Sequence, residues 1–214
     1  MSRVAGILLA AGTSSRLGRE KQKLSARGKT FLHGVAESLG AVASPLVVVL
    51  PAERPELARD LSETPAEVVL NEQSNLGMGT SLALAARALL SRAAALDFVL
   101  VALVDQPLVS RALFEDLLAA ARGARGFAAC DYGAGAWGAP ACFPSPELPA
   151  LAGLSGERGA RSLLEPVGSR GELALVPFPG GRFDVDTEAD YARLLAELAG
   201  GGGSASGGSS RQRP

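Results

Sequence analysis

The chain predicts an α/β fold: one mostly parallel, helix-covered sheet with an antiparallel addition in its C-terminal half. Three observations carry this reading. Apolar runs of strand length alternate with stretches of helical period almost throughout, loosening only after Gly123. Several runs are apolar without a break, the mark of strands buried on both faces. Two of them end directly in turns bearing glycine or proline, beyond the carboxyl ends of strands, where such sheets hold ligands.

The elements follow in order. Val4 to Leu9 is a short apolar strand that breaks into Ala10-Ala11-Gly12. A helical pattern covers Phe31 to Leu39, and Leu46-Val47-Val48-Val49-Leu50 is a β-branched strand closed by Pro51. A helix-like stretch from Glu56 to Leu61 precedes the strand Glu67 to Leu70, and a second helix is expected over Leu82 to Leu90. Phe98 to Val104 is the most apolar run and predicts a central strand, followed by a helix over Leu113 to Ala121. Segments around Phe127 to Cys130 and Ala139 to Phe143 then suggest an antiparallel or edge addition. Leu173 to Val176 and a helix over Glu188 to Leu198 close the domain.

A length of 214 residues suits a single domain over residues 1–199, with a Gly/Ser-rich segment, 200–214, expected to be a disordered tail. Such a domain buries about 70% of its unfolded surface and needs no disulfide or structural metal to stand. The net charge of −1, without a basic stripe, argues against nucleic acid as a partner. Two distant cysteines, Cys130 and Cys142, and one histidine, His33, are too few ligands for a zinc site. No segment is long and apolar enough to span a membrane. Arg3 and the following apolar run resemble a signal peptide only superficially, so a cytoplasmic location is expected.

Four places could carry chemistry. The first is Ala10 to Lys21, where small residues let backbone N–H groups approach a phosphate while Arg16 and Lys21 neutralise it. It is neither a Walker loop nor a dinucleotide fingerprint; its structural alternative is an ordinary strand-to-helix turn. The second is Asn71 to Leu82, where Gly77 and Gly79 would let the chain lie close to a base or ribose. Thr80 or Ser81 there suits a helix N-cap. The third is Asp105-Gln106-Pro107, a carboxylate at the end of a central strand, placed for Mg²⁺ if it does more than start a turn. The fourth is Asp184-Val185-Asp186-Thr187, where two carboxylates share one side of an extended segment while Thr187 can cap the last helix.

Leu-Ala-Ala-Gly-x-Ser-x-Arg-x-Gly-x-x-Lys resembles the signature loop of nucleotidyltransferases. With Gly-Met-Gly-Thr-Ser-Leu, Asp-Gln-Pro, Asp-Val-Asp-Thr and Gly156-Glu157-Arg158-Gly159-Ala160-Arg161 in the same order, the chain is similar to the cytidylyltransferase branch of the molybdopterin-nucleotidyltransferase-like family. The resemblance runs from the first strand to about Leu198. It implies a Rossmann-like nucleotidyltransferase domain that moves CMP from CTP to the phosphate of molybdopterin and releases pyrophosphate. Alanine at position 11, where other members carry glycine, goes with CTP over GTP.

Carried onto this sequence, the resemblance implies Arg16, Lys21 and Asp105 as catalytic, with Lys23 a second-choice cation. Leu9, Ala10, Ala11, Gly12, Thr13, Ser14, Lys21, Asn71, Gly77, Thr80 and Ser81 are the implied nucleotide-binding residues. Asp105, Asp186 and Asp184 are the implied Mg²⁺ ligands. It also implies transient contact with a molybdoenzyme or its maturation factor. Two departures, Ala139 where the family often has His or Asn and Glu157 in place of Asp, fall in the half expected to hold the acceptor. A sugar or alditol phosphate as acceptor, or a non-catalytic cofactor carrier, are the alternative readings.

Overall fold

All six residues of Val4–Leu9 are buried, because this strand, β1, has sheet neighbours on both sides and helices over both faces. A computed structural model describes residues 2–12, 20–182, 185 and 187–200. After β1 come a minimal hairpin, β2 (Ser25–Ala26) with β3 (Lys29–Thr30), and helix α1 (Phe31–Gly40). The Thr30 hydroxyl caps α1 by accepting from the His33 N–H at 3.1 Å. Strands β4 (Leu46–Pro51) and β5 (Ala66–Asn71) follow, then α2 (Met78–Leu90), β6 (Phe98–Leu103) and α3 (Arg111–Gly123). The C-terminal half contains β7 (Ala128–Gly133), β8 (Ala136–Pro144), α4 (Leu148–Ala152), α5 (Arg161–Ser169), β9 (Ala174–Pro177) and α6 (Glu188–Gly200).

The main sheet runs β5-β4-β1-β6-β8-β7-β9. β5, β4, β1 and β6 are parallel, and the unbroken apolar runs of β4, β1 and β6 suit strands buried on both faces, whereas β5 lies at the edge and carries Glu67. β8 is antiparallel to β6 and to β7, whereas β9 returns parallel to β7. The antiparallel addition is therefore one strand, and it lies inside the sheet instead of at an edge. The reason is local: β7 and β8 are joined by the two-residue link Ala134-Gly135, too short for any connection but a hairpin.

Side chains alternate between two apolar layers. Leu8 and Val48 pack with Phe31, Leu39 and Phe114 beneath α1 and α3. Ile7, Val47 and Val49 pack with Leu82, Leu89 and Leu151 beneath α2 and α4. From β1 the chain steps outward through β4 to β5, then returns to the other side of β1 as β6. That reversal leaves a crevice beyond the carboxyl ends of β1 and β6.

Three local expectations are revised, and two helices were not expected at all. Residues 55–61 form a 3₁₀ helix, not an α-helix. α2 starts at Met78, with Gly77 as its cap residue and no side-chain cap, so Thr80 and Ser81 lie in its first turn instead of capping it. α4 and α5 carry no clear sequence signal, and α5 even contains Pro166, a residue that removes an internal hydrogen bond. α6 extends to Gly200, past the expected Leu198. The expected cap Thr187 does hold that helix: its hydroxyl accepts from Asp190 N–H at 3.2 Å while its own N–H donates to Asp190 Oδ2 at 2.9 Å.

Candidate functional site

β1 delivers Leu9 and the small residues that follow it to the crevice. The Ala10 N–H donates to the Val49 carbonyl at 2.9 Å, and its own carbonyl accepts from the buried Gln22 side chain at 2.6 Å. Ala10 therefore faces the core, while Leu9, Ala11 and Gly12 face a cavity of about 250 Å³. Among the described residues, nothing lies within 4 Å of where a side chain on Gly12 would point. Lys21 opens a 3₁₀ turn and also lines this cavity. Lys23 does not; it is half exposed and paired with Glu20 Oε2 at 2.5 Å.

Across the crevice, Asp105 occupies the turn beyond β6. Lys21 Nζ donates to Asp105 Oδ2 at 3.3 Å, with the two side chains 12% and 25% exposed. Asp105 Oδ1 is buried and has no hydrogen-bond partner among the described residues. A carboxylate oxygen withdrawn from water and left unpaired fits a hard divalent cation. Among the described residues no three side chains of metal-binding type cluster. The two other implied ligands, Asp184 and Asp186, lie outside the described residues, as do Thr13, Ser14 and Arg16. Val185, the residue between those aspartates, donates its N–H to the Asp105 carbonyl at 3.3 Å. On its other side the turn is tied down by Gln106, whose Nε2 donates to the Tyr132 hydroxyl at 3.0 Å, and Tyr132 donates in turn to the carbonyl of Ala139.

β5 and the start of α2 form the third wall. Gly77 and Ser81 line the cavity, but Asn71 and Thr80 do not. Asn71 is buried: Oδ1 accepts from Gln73 N–H at 2.9 Å, and Nδ2 donates to the hydroxyls of Thr80 and Ser81 at 3.0 and 2.9 Å. The Thr80 hydroxyl donates to the carbonyls of Gln73 and Gly77. These polar groups fasten the loop to the first turn of α2.

Gly77 and Gly79 serve a contact between two stretches of backbone. Gly77 has φ of +107°, and a Cβ on it would stand 2.5 Å from the Gly156 carbonyl; one on Gly79 would stand 2.6 Å from the Arg158 carbonyl oxygen. The Gly79 N–H donates to the Gly156 carbonyl at 2.8 Å. Residues 155–158 thus lie as a strap across the start of α2, and the strap carries Glu157 to the cavity wall. Ser74, Asn75 and Met78, within the Asn71–Leu82 stretch but given no role of their own, also line the cavity, as do Leu103 and Val104 at the end of β6. Position at or just beyond a strand end is the signal that could have found them. Glu157 belongs to a recognisable segment, but its approach to Gly77, far away in sequence, has no local signal.

A family model described as the MobA-like NTP transferase domain matches residues 6–173. The nicotine blue oxidoreductase of Paenarthrobacter nicotinovorans is 32% identical over 90% of this chain and 96% of its own length. The probable molybdenum cofactor guanylyltransferase of Opitutus terrae is 33% identical over 58% of this chain and 59% of its own. Among solved structures, Rv0371c from Mycobacterium tuberculosis H37Rv superposes with a TM-score of 0.69 at 26% identity, covering 91% of this chain and 98% of that one. The same protein has also been solved as a complex with manganese, with a TM-score of 0.66, 25% identity and coverage of 91% and 99%.

Proposed function

The chain belongs to the MobA-like NTP transferase family and is a nucleotidyltransferase, and from that premise we propose that it transfers CMP from CTP to the phosphate of molybdopterin. The observation that carries the reading is the Lys21–Asp105 pair in a cavity walled by Ala11, Gly12 and Gly77. It supplies a cation for phosphate, a carboxylate with a buried oxygen unpaired among the described residues, and glycine backbone at the cavity wall. Ala11, which lines the cavity, supports cytidine, since the resemblance associates alanine at this position with CTP and glycine with GTP. The resemblance to molybdopterin-directed enzymes supports the acceptor, as does the similarity to a protein named a molybdenum cofactor guanylyltransferase.

The reaction is an in-line displacement. An oxygen of the acceptor phosphate attacks the α-phosphorus of CTP; the new O–P bond forms as the bond to the β-phosphate oxygen breaks, and pyrophosphate leaves. The nucleophile is already anionic, so no general base is needed, and positioning and charge neutralisation are the protein's work. Lys21, with Arg16, stabilises the departing pyrophosphate, while the N–H groups from Gly12 onward orient the phosphates. Leu9, Ala11, Gly77 and Ser81 hold the nucleoside. Asp105, with Asp184 and Asp186, would hold Mg²⁺, which when bound neutralises charge on the phosphates.

The test is pyrophosphate release with Mg²⁺, offering each NTP in turn with molybdopterin or a panel of sugar phosphates. Release that requires both CTP and molybdopterin is the expected result. Release with GTP would overturn the base assignment, and release with a sugar phosphate would move the acceptor. No release with any pair would overturn the enzymatic reading in favour of a cofactor carrier.

A further inference from the structure

Among the described residues the charged groups lining the cavity are Lys21, Asp105 and Glu157, and the first two are already joined. We propose that Lys21 acts as a stand-in cation on Asp105, so that the divalent metal binds with or after the nucleotide and not before it. The inference deepens the reading above and rests on its assignment of Asp105 to the metal.

Lys21 Nζ lies 3.3 Å from Asp105 Oδ2, and its side chain is only 12% exposed. An ammonium so little screened by water repels a second cation at the same carboxylate far more than a surface lysine would. Asp105 Oδ1 stays buried and unpaired among the described residues, so the carboxylate is half engaged and half available. A triphosphate changes this balance. It brings several negative charges beside Gly12 and Lys21, in the cavity that both residues line. Lys21 then has a stronger anionic partner within side-chain reach, and Asp105 Oδ2 is released. The same phosphates attract the divalent ion, so nucleotide and metal bind with positive coupling, and that coupling is reciprocal. Lys21 is here a positioning residue for Asp105 before it is a ligand of phosphate.

The experiment titrates Mn²⁺ into the nucleotide-free full chain and measures free Mn²⁺ by electron paramagnetic resonance. Lys21→Met should bind Mn²⁺ about tenfold more tightly than the wild type, a size ordinary for coupling between sites. Adding Asp105→Asn to that variant should abolish the gain. Lys21→Arg, which keeps the charge, should retain the weak binding of the wild type. Affinity in Lys21→Met equal to or below that of the wild type overturns the proposal. So does a gain in Lys21→Arg as large as that in Lys21→Met, because lost packing and not lost charge would then be its cause. These titrations contain neither CTP nor acceptor, so they fail or succeed independently of the pyrophosphate assay. Absence of Mn²⁺ binding by every form would overturn the inference together with the metal role of Asp105.

Discussion

Asp105 is held in place by main-chain contacts and by a neighbour's side chain, while among the described residues its own carboxylate is paired with Lys21. Asp105→Asn should therefore keep the turn and lose the charge. Nucleotidyl transfer is expected to fall by about 10²–10³-fold, the usual cost of removing one preorganised electrostatic group, while thermal unfolding stays cooperative. Steady-state pyrophosphate release and a melting curve check the two halves of that statement. Asn71 and Thr80 illustrate the opposite case at the same scale. Both residue types donate and accept, and their place after a strand invites a nucleotide role. Their hydrogen bonds are instead spent on Gln73, Gly77 and Ser81 within the loop. A side chain's chemistry is legible in sequence; whether a ligand or the chain itself satisfies it depends on which groups lie within about 3 Å.

At the scale of elements, the strap at residues 155–158 and the first turn of α2 are one unit. Gly79→Ala would drive a Cβ to 2.6 Å from the Arg158 carbonyl oxygen, and backbone cannot swing aside as a flexible side chain can. The variant should lose about 1–3 kcal/mol in urea denaturation, the range for overpacking a close contact. It should also weaken nucleotide binding as Glu157 and Gly77 shift, which isothermal calorimetry would read. Gly34 is the control. It lies inside α1 with none of the described residues within 4 Å of its missing side chain, so Gly34→Ala should stabilise the fold by about 0.5–1 kcal/mol. The strands were legible because strand length and unbroken apolarity are local properties. α4 and α5 were not: one is five residues long and the other contains proline, so tertiary packing of Leu148, Leu151 and Leu164 outweighs weak propensity.

Across the whole molecule, helices on both faces of the sheet leave interiors dry enough to govern ionisation. Cys130 on β7 and Cys142 on β8 are free thiols, and burial pushes each up to about 12. An unfolded thiol releases its proton near pH 8.5, whereas the folded one keeps it to about pH 12. Between those values the unfolded chain binds fewer protons, so both cysteines lower stability as pH rises through that window and add nothing further above it. Urea denaturation from pH 7 to 11 should show the midpoint falling above about pH 8.5 in the wild type and falling less in a Cys130→Ala, Cys142→Ala variant. By itself the sequence determined the alternation of strand and helix, the mostly parallel sheet, and the strand ends that bring Leu9, Ala11, Gly12, Lys21, Gly77, Ser81 and Asp105 to one cavity. These rest on short-range rules: periodicity, β-branching, and the tendency of open sheets to bind ligands at carboxyl ends. Only the tertiary structure decided that β8 lies inside the sheet, that Gly77 and Gly79 receive a strap bearing Glu157, and that Lys21 already holds Asp105. Those are meetings of residues far apart along the chain, and no local propensity encodes which distant charge or carbonyl will stand opposite once the core has closed.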